Sequence, residues 1–507
     1  MSALPLPRNE QQRLREWNQT TRSVSDVSCV HERFEKVAES DPGRIAIVDG
    51  AHSITYSDLN KRANQLARYL RRRGIQPGCF VAVLLNRSID LIVAILAVLK
   101  AGAAYIPSDP KYPRERLSVA LREAFVPLVV SRSEFGDAVP TFITQLRMDA
   151  DWDAVAREDG SNLHKLIDAQ SLAYVIFTSG SNGKPRGVEV FHSGLSNLVN
   201  WHQHEYRITP DDRATLYASS GFDASVWEMW PYLSAGARLH IPDAESHASP
   251  VALAKWMAEQ GVTISFLPTP VAESFVELDF PEALKLRVLL TGGDRLRHFP
   301  SRHLPFRFVN HYGPTEATVV ATACDVPASS SLGAPPIGKP ISNVHAFVLD
   351  REGRPVPIGA KGELYIGGAG IARGYLNQAQ LTKEKFVTNP FDGRSGSRLY
   401  RTGDLVRYRS DGNLEFHGRI DDQLKIRGFR VEPAEIESVL ELYPAVDKSL
   451  VIAADNTLGE KTLTAYVVPK KLESGNDPDF VSRLQAEQIN EWQQIYEQLY
   501  SSNHRER

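Results

Sequence analysis

Residues 178–187 hold the residue types that bind a nucleotide phosphate. The stretch Thr-Ser-Gly-Ser-Asn-Gly-Lys-Pro-Arg-Gly follows an apolar run at 172–177 and reads as one turn. Glycines let backbone N–H groups point toward one place, and hydroxyl and cationic side chains complete a phosphate cradle. A Walker loop has Ser or Thr after Gly-Lys, whereas Pro185 follows Lys184 here. The stretch therefore predicts a nucleoside triphosphate site of another kind, with a polar surface loop as the alternative.

Three further segments carry groups that suit a nucleotide. Residues 310–317 place an aromatic ring, a hydroxyl and a carboxylate around a Gly-Pro turn. Residues 400–404 put Asp404 after a glycine turn, where it could bind a ribose diol, although Asp after Gly is common in ordinary turns. Residues 418–421 and 425–430 bring positive charge to a polar joint. Each segment alone fits a surface turn, but their occurrence together in this order favours a nucleotide site.

Asp223 is an acidic residue in apolar surroundings. Phe222 and Ala224 flank it, and Trp227 and Trp230 follow. A buried carboxylate needs a partner, so the sequence predicts that an internal arginine or a bound ammonium group meets Asp223. An aspartate with only a structural role is the alternative.

Helices and strands alternate through most of the chain and must position these groups. Residues 56–73 predict a helix opened by Thr55, and residues 89–100 a helix ending at Gly102. Short apolar strands followed by loops are predicted at 80–85, 262–267, 287–290 and 308–311. This alternation predicts a layered α/β architecture. A small β-barrel or antiparallel layer is predicted from strands at 346–349, 362–366, 405–409 and 414–417.

Composition favours a cytoplasmic enzyme. A chain of 507 residues is too long for one ordinary core, and its 42% hydrophobic and 23% charged content is typical of globular proteins. The net charge of −3 gives no case for a nucleic-acid or membrane partner. The apolar run at 91–99 is too short to span a bilayer, and the N-terminus has no signal-peptide core. Cys29, Cys79 and Cys324 suit a reducing compartment and predict no metal-ligand cluster.

Taken together, the motifs resemble the adenylation domains of nonribosomal peptide synthetases, in the superfamily shared with acyl-CoA synthetases and firefly luciferase. The resemblance runs from about residue 30 to 469 and includes residues 99–107 and 362–368. It implies a multi-layer α/β fold whose large domain, 1–420, has two α/β subdomains plus a small β-barrel. A small, mobile α+β subdomain at 421–470 would follow, with Asp421 as its hinge.

The resemblance implies a site for ATP and Mg²⁺. Residues 178–187 would cover the β- and γ-phosphates, with Thr178 and Arg186 as catalytic residues. Thr315 would contact the α-phosphate and Glu316 would hold Mg²⁺. Tyr312 would pack on adenine, Asn310 would lie beside its amino group, and Asp404 would bind the ribose. The complete set implied to bind the nucleotide is Ser179, Gly180, Ser181, Gly183, Lys184, Gly292, Gly293, Asn310, Tyr312, Asp404, Phe416 and Arg419.

The implied substrate is an amino acid. In amino-acid-activating members the aspartate that matches Asp223 pairs with the α-ammonium group. The implied side-chain pocket consists of Ala224, Trp227, Phe266, Leu290, Gly292, His311, Val319 and Val320. Most are apolar, which favours a neutral, leucine-like side chain. His311 is the departure, since similar pockets often have a smaller amide there, and it could also hydrogen-bond a hydroxyl such as that of tyrosine.

The implied reaction has two steps. ATP and the amino acid form aminoacyl-AMP and pyrophosphate, and the acyl group then passes to the phosphopantetheine thiol of a peptidyl carrier protein domain beside other synthetase domains. An acyl- or aryl-CoA ligase is an alternative, against which Asp223 argues. A catalytically weak module that binds ATP and an amino acid is another. The histidines in 201–204 look metal-like but have no second ligand pair nearby in sequence, and His192 is predicted to support packing.

The C-terminal residues depart from the family. Its small subdomain ends in a Gly-Lys loop whose lysine contacts substrate and ATP, and no such loop occurs in this sequence. Instead, residues 471–507 predict an amphipathic helical tail opened by 477–479. We therefore expect an incomplete subdomain followed by the start of an inserted methyltransferase domain, with an ordinary terminal helix as the alternative. The missing lysine keeps the weak binding module open.

Overall fold

The computed structural model describes residues 6–23, 28–180, 185–329, 333–421, 423–426, 429–455 and 461–470. Its helices are α1 Arg8–Trp17, α2 Val30–Ser40, α3 Tyr56–Arg72, α4 Ile89–Ala101, α5 Arg114–Glu123, α6 Trp152–Val155, α7 His192–Glu205, α8 Asp223–Leu233, α9 Pro250–Gln260, α10 Thr269–Phe275, α11 Ala379–Lys385 and α12 Pro433–Glu441. Short 3₁₀ helices occupy Ser133–Ala138 and Thr315–Ala317.

The strands, in chain order, are β1 Ile45–Asp49, β2 His52–Thr55, β3 Phe80–Leu84, β4 Ala104–Ser108, β5 Leu128–Ser131, β6 Thr144–Arg147, β7 Leu172–Thr178, β8 Arg186–Phe191, β9 Arg213–Thr215, β10 Arg238–Ile241, β11 Ile264–Pro268, β12 Val288–Gly292, β13 Arg307–Tyr312, β14 Thr322–Asp325, β15 Lys339–Pro340, β16 Val344–Leu349, β17 Lys361–Gly368, β18 Gly374–Tyr375, β19 Phe386–Thr388, β20 Arg398–Tyr408, β21 Leu414–Arg419, β22 Leu424–Ile426, β23 Phe429–Val431, β24 Val446–Asp455 and β25 Lys461–Pro469.

Two large sheets with parallel centres form the predicted α/β layers. The nine-stranded sheet runs β15-β14-β13-β12-β11-β9-β10-β1-β2, and the seven-stranded sheet runs β18-β8-β7-β4-β3-β5-β6. Pairing is parallel from β13 through β1 and from β7 through β6, and antiparallel strands close the edges. Helices α3 and α4 pack against each other beside these sheets. This layered architecture confirms the expected fold class.

Helix α4 shows how closely a sequence pattern can predict an element. Residues 91–101 of this helix are all buried, as expected for a helix that is apolar on every side. Ser88 caps its first turn by accepting from the N–H of Leu91 at 3.3 Å. Gly102 ends it with φ +92°, a left-handed conformation that glycine adopts without strain. The helix therefore begins and ends within one residue of the prediction.

The antiparallel layer is a five-stranded sheet around the long strand β20. Strand β17 pairs with one side of β20, while β19 and β21 pair with the two ends of its other side. The prediction of a glycine turn at 400–404 is wrong, because these residues lie inside β20. Gly403 has φ +75° and the pairing with β21 shifts register between Asp404 and Val406, so the glycine makes a bulge within the strand.

The C-terminal part pairs β22 with β23 and packs α12 on the hairpin of β24 and β25. The domain boundary at 420/421 stays a prediction, and the proposed amphipathic tail at 471–507 lies outside the described residues. A further difference concerns β11, which leads directly into α10 rather than into a loop, because Pro270 suits the first turn of a helix. None of the helices in the described part of the chain has the length and apolar content needed to span a bilayer.

Candidate active site

A cavity of about 230 Å³ opens where β11, β12 and β13 end at their carboxyl ends. Ligands of open α/β sheets bind at this position because the loops that follow the strands converge there. Helix α8 closes another side through its first turns. The lining residues are Tyr217, Ala218, Ser219, Phe222, Asp223, Ala224, Trp227, Phe266, Pro268, Gly292, Gly293, His311, Gly313, Val319 and Val320.

Most of the predicted pocket residues meet at this cavity. Those that line it are Asp223, Ala224, Trp227, Phe266, Gly292, His311, Val319 and Val320. Leu290 does not line the cavity and belongs to the main core, where it is buried. It precedes Gly292 by two strand positions and so lies roughly 6–7 Å deeper along β12. The predicted pocket is thus correct except for its deepest position.

Residues 217–219 form a wall that sequence reasoning missed. The carboxylate of Glu228, buried in α8, accepts from the N–H groups of Tyr217 and Ala218 at 2.9 and 2.7 Å. Burial raises the pKa of Glu228 to about 8, against the lowering effect of these two hydrogen bonds. An acidic residue within an otherwise apolar helix was the available signal, because such a side chain must hold something in place.

Asp223 is the first residue of α8 and is half-buried. Its Oδ2 accepts from the Thr315 hydroxyl at 2.7 Å. The sequence predicted an internal arginine or a bound ammonium, whereas this contact is a hydroxyl. Since a hydroxyl carries no charge, the contact orients the carboxylate without neutralising it. The helix N-terminus also favours the ionised form.

The turn after β13 is tightly folded around the cavity. Gly313 is required there, because a Cβ would lie 2.3 Å from the carbonyl oxygen of Val319. Thr318 and Val319 have φ values of +55° and +68°. Positive φ is rare for a β-branched residue and marks backbone strain of the kind found at ligand sites. The turn thereby holds Val319 and Val320 against the cavity.

Glu316 lies in the same turn and is fully buried. The Tyr375 hydroxyl donates to its Oε1 at 2.7 Å. Magnesium in nucleotide sites is held by one or two carboxylates together with the substrate phosphates. A buried, oriented carboxylate next to Thr315 fits that donor set, so Glu316 can hold the ion that the family implies.

A charged cluster connects β13, β20 and β21. Tyr312 donates from its hydroxyl to Asp404, and Arg419 donates to the other Asp404 oxygen at 2.5 Å. The same Arg419 donates to Asp421 at 2.6 and 2.8 Å, so it links the predicted ribose residue to the predicted hinge. Burial and the neighbouring Asp404 raise the pKa of Tyr312 well above its ordinary value, which keeps its phenol protonated as a donor.

The predicted phosphate loop connects two antiparallel strands. Thr178 ends β7 and Arg186 begins β8, and the two residues pair across the strands. Ser179 and Gly180 are buried, while Ser181, Gly183 and Lys184 lie outside the described residues. From the C-terminal part, the Glu435 carboxylate accepts from the Gly180 N–H. Helix α12 therefore touches the loop in this arrangement.

The other predicted nucleotide residues lie nearby on the same strands. Asn310 is buried and donates from its side chain to the Pro336 carbonyl at 2.9 Å. Phe416 of β21 is half-buried against the main core. Gly292 ends β12, where a Cβ would lie 2.7 Å from the His311 carbonyl oxygen. The glycine therefore lets β12 and β13 end close together at the cavity.

The expectation that no cysteine joins a metal-ligand cluster needs correction. Within the described residues, ligand atoms of Cys29, His31 and His192 all lie within 4.8 Å of one another, and all three side chains are buried. The sequence hid this group because His192 is distant along the chain. The cluster lies at the N-termini of α2 and α7, whose partial positive charge disfavours a cation. The predicted packing role of His192 is consistent with this placement.

Comparison with known proteins gives one matching family and several similar relatives. The model of the AMP-binding enzyme family matches residues 34–376. One component of the linear gramicidin synthase of Brevibacillus parabrevis is 48% identical over 475 residues, which cover 92% of this chain and 6% of that protein. Bacitracin synthase 1 of Bacillus licheniformis is 43% identical over 458 residues, covering 90% of this chain and 8% of that protein. The chain thus spans less than a tenth of the length of these relatives.

Solved structures show the same architecture. An artificially fused adenylation–PCP di-domain from Klebsiella oxytoca, NpsA-ThdA, superposes with a TM-score of 0.79 at 28% identity, covering 89% of this chain and 90% of that one. The AMPPNP-bound form of the nonribosomal peptide synthetase FmoA3 gives a TM-score of 0.75 at 31% identity, covering 82% of this chain and 45% of that one.

Proposed function

Because the chain belongs to the AMP-binding enzyme family, as an adenylation domain of the nonribosomal peptide synthetase type, we propose that it activates a neutral, apolar amino acid, with leucine as the best fit. The observation that carries the proposal is the cavity of about 230 Å³. Asp223 is the one carboxylate among its described lining residues, and no lysine or arginine lines it. A single anionic group among largely apolar walls suits a small zwitterion with an apolar side chain.

In the proposed first step, Asp223 pairs with the α-ammonium group of the substrate. A carboxylate oxygen of the amino acid attacks the α-phosphorus of ATP, an O–P bond forms, and the bond to pyrophosphate breaks. The chemistry depends on alignment and charge stabilisation rather than on proton transfer. Thr315 would serve both substrates, since its hydroxyl contacts Asp223 and it stands beside Glu316. Bound Mg²⁺, held by Glu316, would neutralise charge on the phosphates.

The nucleotide would lie between the β13 turn and the charged cluster on β20 and β21. Asp404 would accept hydrogen bonds from the ribose hydroxyls, and Arg419 would hold Asp404 in position through the 2.5 Å contact. The AMPPNP-bound form of the related FmoA3 structure supports a nucleotide site in this fold. Thr178, Ser179 and Arg186 would then face the outer phosphates.

In the proposed second step, the thiol of a carrier-bound phosphopantetheine attacks the aminoacyl carbonyl. The thioester bond forms, the acyl–phosphate bond breaks and AMP leaves. The likeness to an adenylation–PCP di-domain protein and to long peptide synthases supports a carrier protein and neighbouring synthetase domains as partners.

Replacing Asp404 with alanine should weaken ATP binding. The variant removes the proposed ribose acceptor, so we expect a loss of roughly 1–3 kcal/mol, or about 5- to 150-fold in Kd. Isothermal titration with a non-hydrolysable ATP analogue measures this change. Asp421→Ala is the matched control, because it removes the other carboxylate bound to Arg419 and leaves Asp404 in place. Equal losses in both variants, or none in Asp404→Ala, would contradict the ribose assignment.

The substrate proposal is tested by ATP–pyrophosphate exchange with each proteinogenic amino acid, hexanoate and benzoate. We expect the fastest exchange with leucine or another neutral apolar amino acid, and only background exchange with Asp, Glu, Lys and Arg. Exchange driven by hexanoate or benzoate but not by amino acids would instead support an acyl- or aryl-CoA ligase. Binding of ATP and leucine without exchange would support a weak binding module.

A further inference from the structure

Two residues that line the cavity, His311 and Trp227, carry nitrogen atoms able to hydrogen-bond a substrate side chain. Both direct these atoms to residues behind the cavity wall. The Nε1–H of Trp227 donates to His202 Nδ1 at 2.8 Å, and His311 Nε2 lies 2.6 Å from the Tyr206 hydroxyl. Neither Tyr206 nor His202 lines the cavity. The wall therefore presents ring carbons to a substrate where the sequence alone suggests polar groups.

The hydrogen bonds determine the tautomer of His311. Its Nδ1 lies 3.1 Å from the Thr291 carbonyl oxygen, which can only accept, so Nδ1 carries the proton. Nε2 must then accept from the Tyr206 hydroxyl. Burial lowers the pKa of His311 to about 3, so the ring is neutral and has no second proton. Both nitrogens of His311 are thus occupied within the protein.

The tautomer of His202 follows in the same way. Because Trp227 Nε1 always donates, His202 Nδ1 must accept, and burial keeps the pKa of His202 well below its ordinary value. The rings of His202 and Tyr206 pack edge to face with centroids 4.8 Å apart. Arg287 holds the backbone here, donating to the Tyr206 carbonyl at 2.7 Å. The two residues form one buried layer behind the pocket.

We propose that Tyr206 and His202 are specificity-determining positioning residues, which occupy the polar atoms of His311 and Trp227 so that the pocket accepts aliphatic and rejects polar side chains. The inference rests on the proposed amino-acid activation and explains how a pocket with a histidine can favour leucine. It also closes the tyrosine alternative, because His311 has no nitrogen left for a substrate hydroxyl. A polar side chain in this pocket would lose its water and gain no hydrogen bond.

Leucine and asparagine test the proposal because their side chains have nearly the same shape and differ in polarity. In Tyr206→Phe, His311 Nε2 loses its donor and can accept from the amide of asparagine. We expect the ratio of kcat/KM for leucine over asparagine to fall about tenfold or more in pyrophosphate exchange. Tyr232→Phe is the matched control, since its buried ring packs on His202 with centroids 5.2 Å apart. That variant should keep the wild-type ratio.

The outcomes separate the inference from the proposed function. An unchanged leucine-to-asparagine ratio in Tyr206→Phe, with leucine still activated, overturns the inference alone. A wild-type chain that exchanges pyrophosphate with no amino acid overturns the proposed function. Spectroscopy of ¹⁵N-labelled histidine in the wild-type chain is a second test that does not depend on a variant's folding. The signal missing in His311→Asn must report the Nδ1-protonated tautomer, and an Nε2-protonated ring would overturn the inference.

Discussion

Replacing Asp223 with alanine should lower kcat/KM for leucine by about 30- to 3,000-fold in pyrophosphate exchange. The variant leaves the α-ammonium group without its charge partner in a largely apolar cavity, and such losses cost roughly 2–5 kcal/mol. Asp223 is fixed at the start of α8 by its 2.7 Å contact with Thr315, so no neighbouring residue needs to move for this charge to be lost. Exchange kinetics at saturating ATP measure the effect.

Leucine without its amino group, 4-methylpentanoate, is the matched control substrate for Asp223. The wild-type chain should strongly prefer leucine over this acid, and Asp223→Ala should lose most of that preference. Asp223→Asn should behave like the alanine variant, because it can accept from Thr315 but carries no charge. If Asp223→Ala keeps its preference for leucine over 4-methylpentanoate, the aspartate does not recognise the ammonium group.

Glu316→Gln should lower the rate of adenylate formation by roughly 10²–10³-fold, the cost of losing one preorganised electrostatic group. Leucine binding should change little, because Glu316 does not line the cavity. Single-turnover formation of aminoacyl-AMP at several Mg²⁺ concentrations measures the rate and its metal dependence. Tyr375→Phe should weaken the apparent Mg²⁺ affinity by about 10- to 100-fold, since its hydroxyl orients the carboxylate.

Glu363→Gln is the control for this substitution. Glu363 is also a buried carboxylate, but it pairs with Arg401 on the antiparallel sheet and should leave the Mg²⁺ dependence unchanged. A Glu316→Gln variant with the wild-type rate and the wild-type Mg²⁺ dependence would contradict the metal assignment.

Local patterns in the sequence predict those parts of the fold that local physics determines. Helix α4 is apolar on all sides, is capped by Ser88 and ends at Gly102, so its burial and bounds follow from its own residues. The glycine-rich stretch after β7 was placed correctly for the same reason. The bulge at Gly403 was misjudged as a turn, because only pairing with β17 and β21 keeps these residues in a strand.

The chemistry of the site depended more on contacts between distant residues. Sequence motifs located Asp223 and His311, but they could not show that His311 is occupied by Tyr206 or that Trp227 is occupied by His202. These pairs are separated by 105 and 25 positions in the chain. For the same reason, an apolar side chain looked only one of two possibilities before the tautomer of His311 could be worked out. Polar residues within apolar segments are therefore the positions where structure adds most.

The most direct test of the central claim follows the oxygen atoms of the substrate. Leucine labelled with ¹⁸O in both carboxylate positions is incubated with the chain, ATP and Mg²⁺, and the products are treated with hydroxylamine, which attacks the acyl carbonyl. If the carboxylate attacks the α-phosphorus, mass spectrometry should find one ¹⁸O atom in AMP and none in pyrophosphate. Label in inorganic phosphate with release of ADP, or leucine-independent formation of AMP without label, would contradict the proposed adenylation.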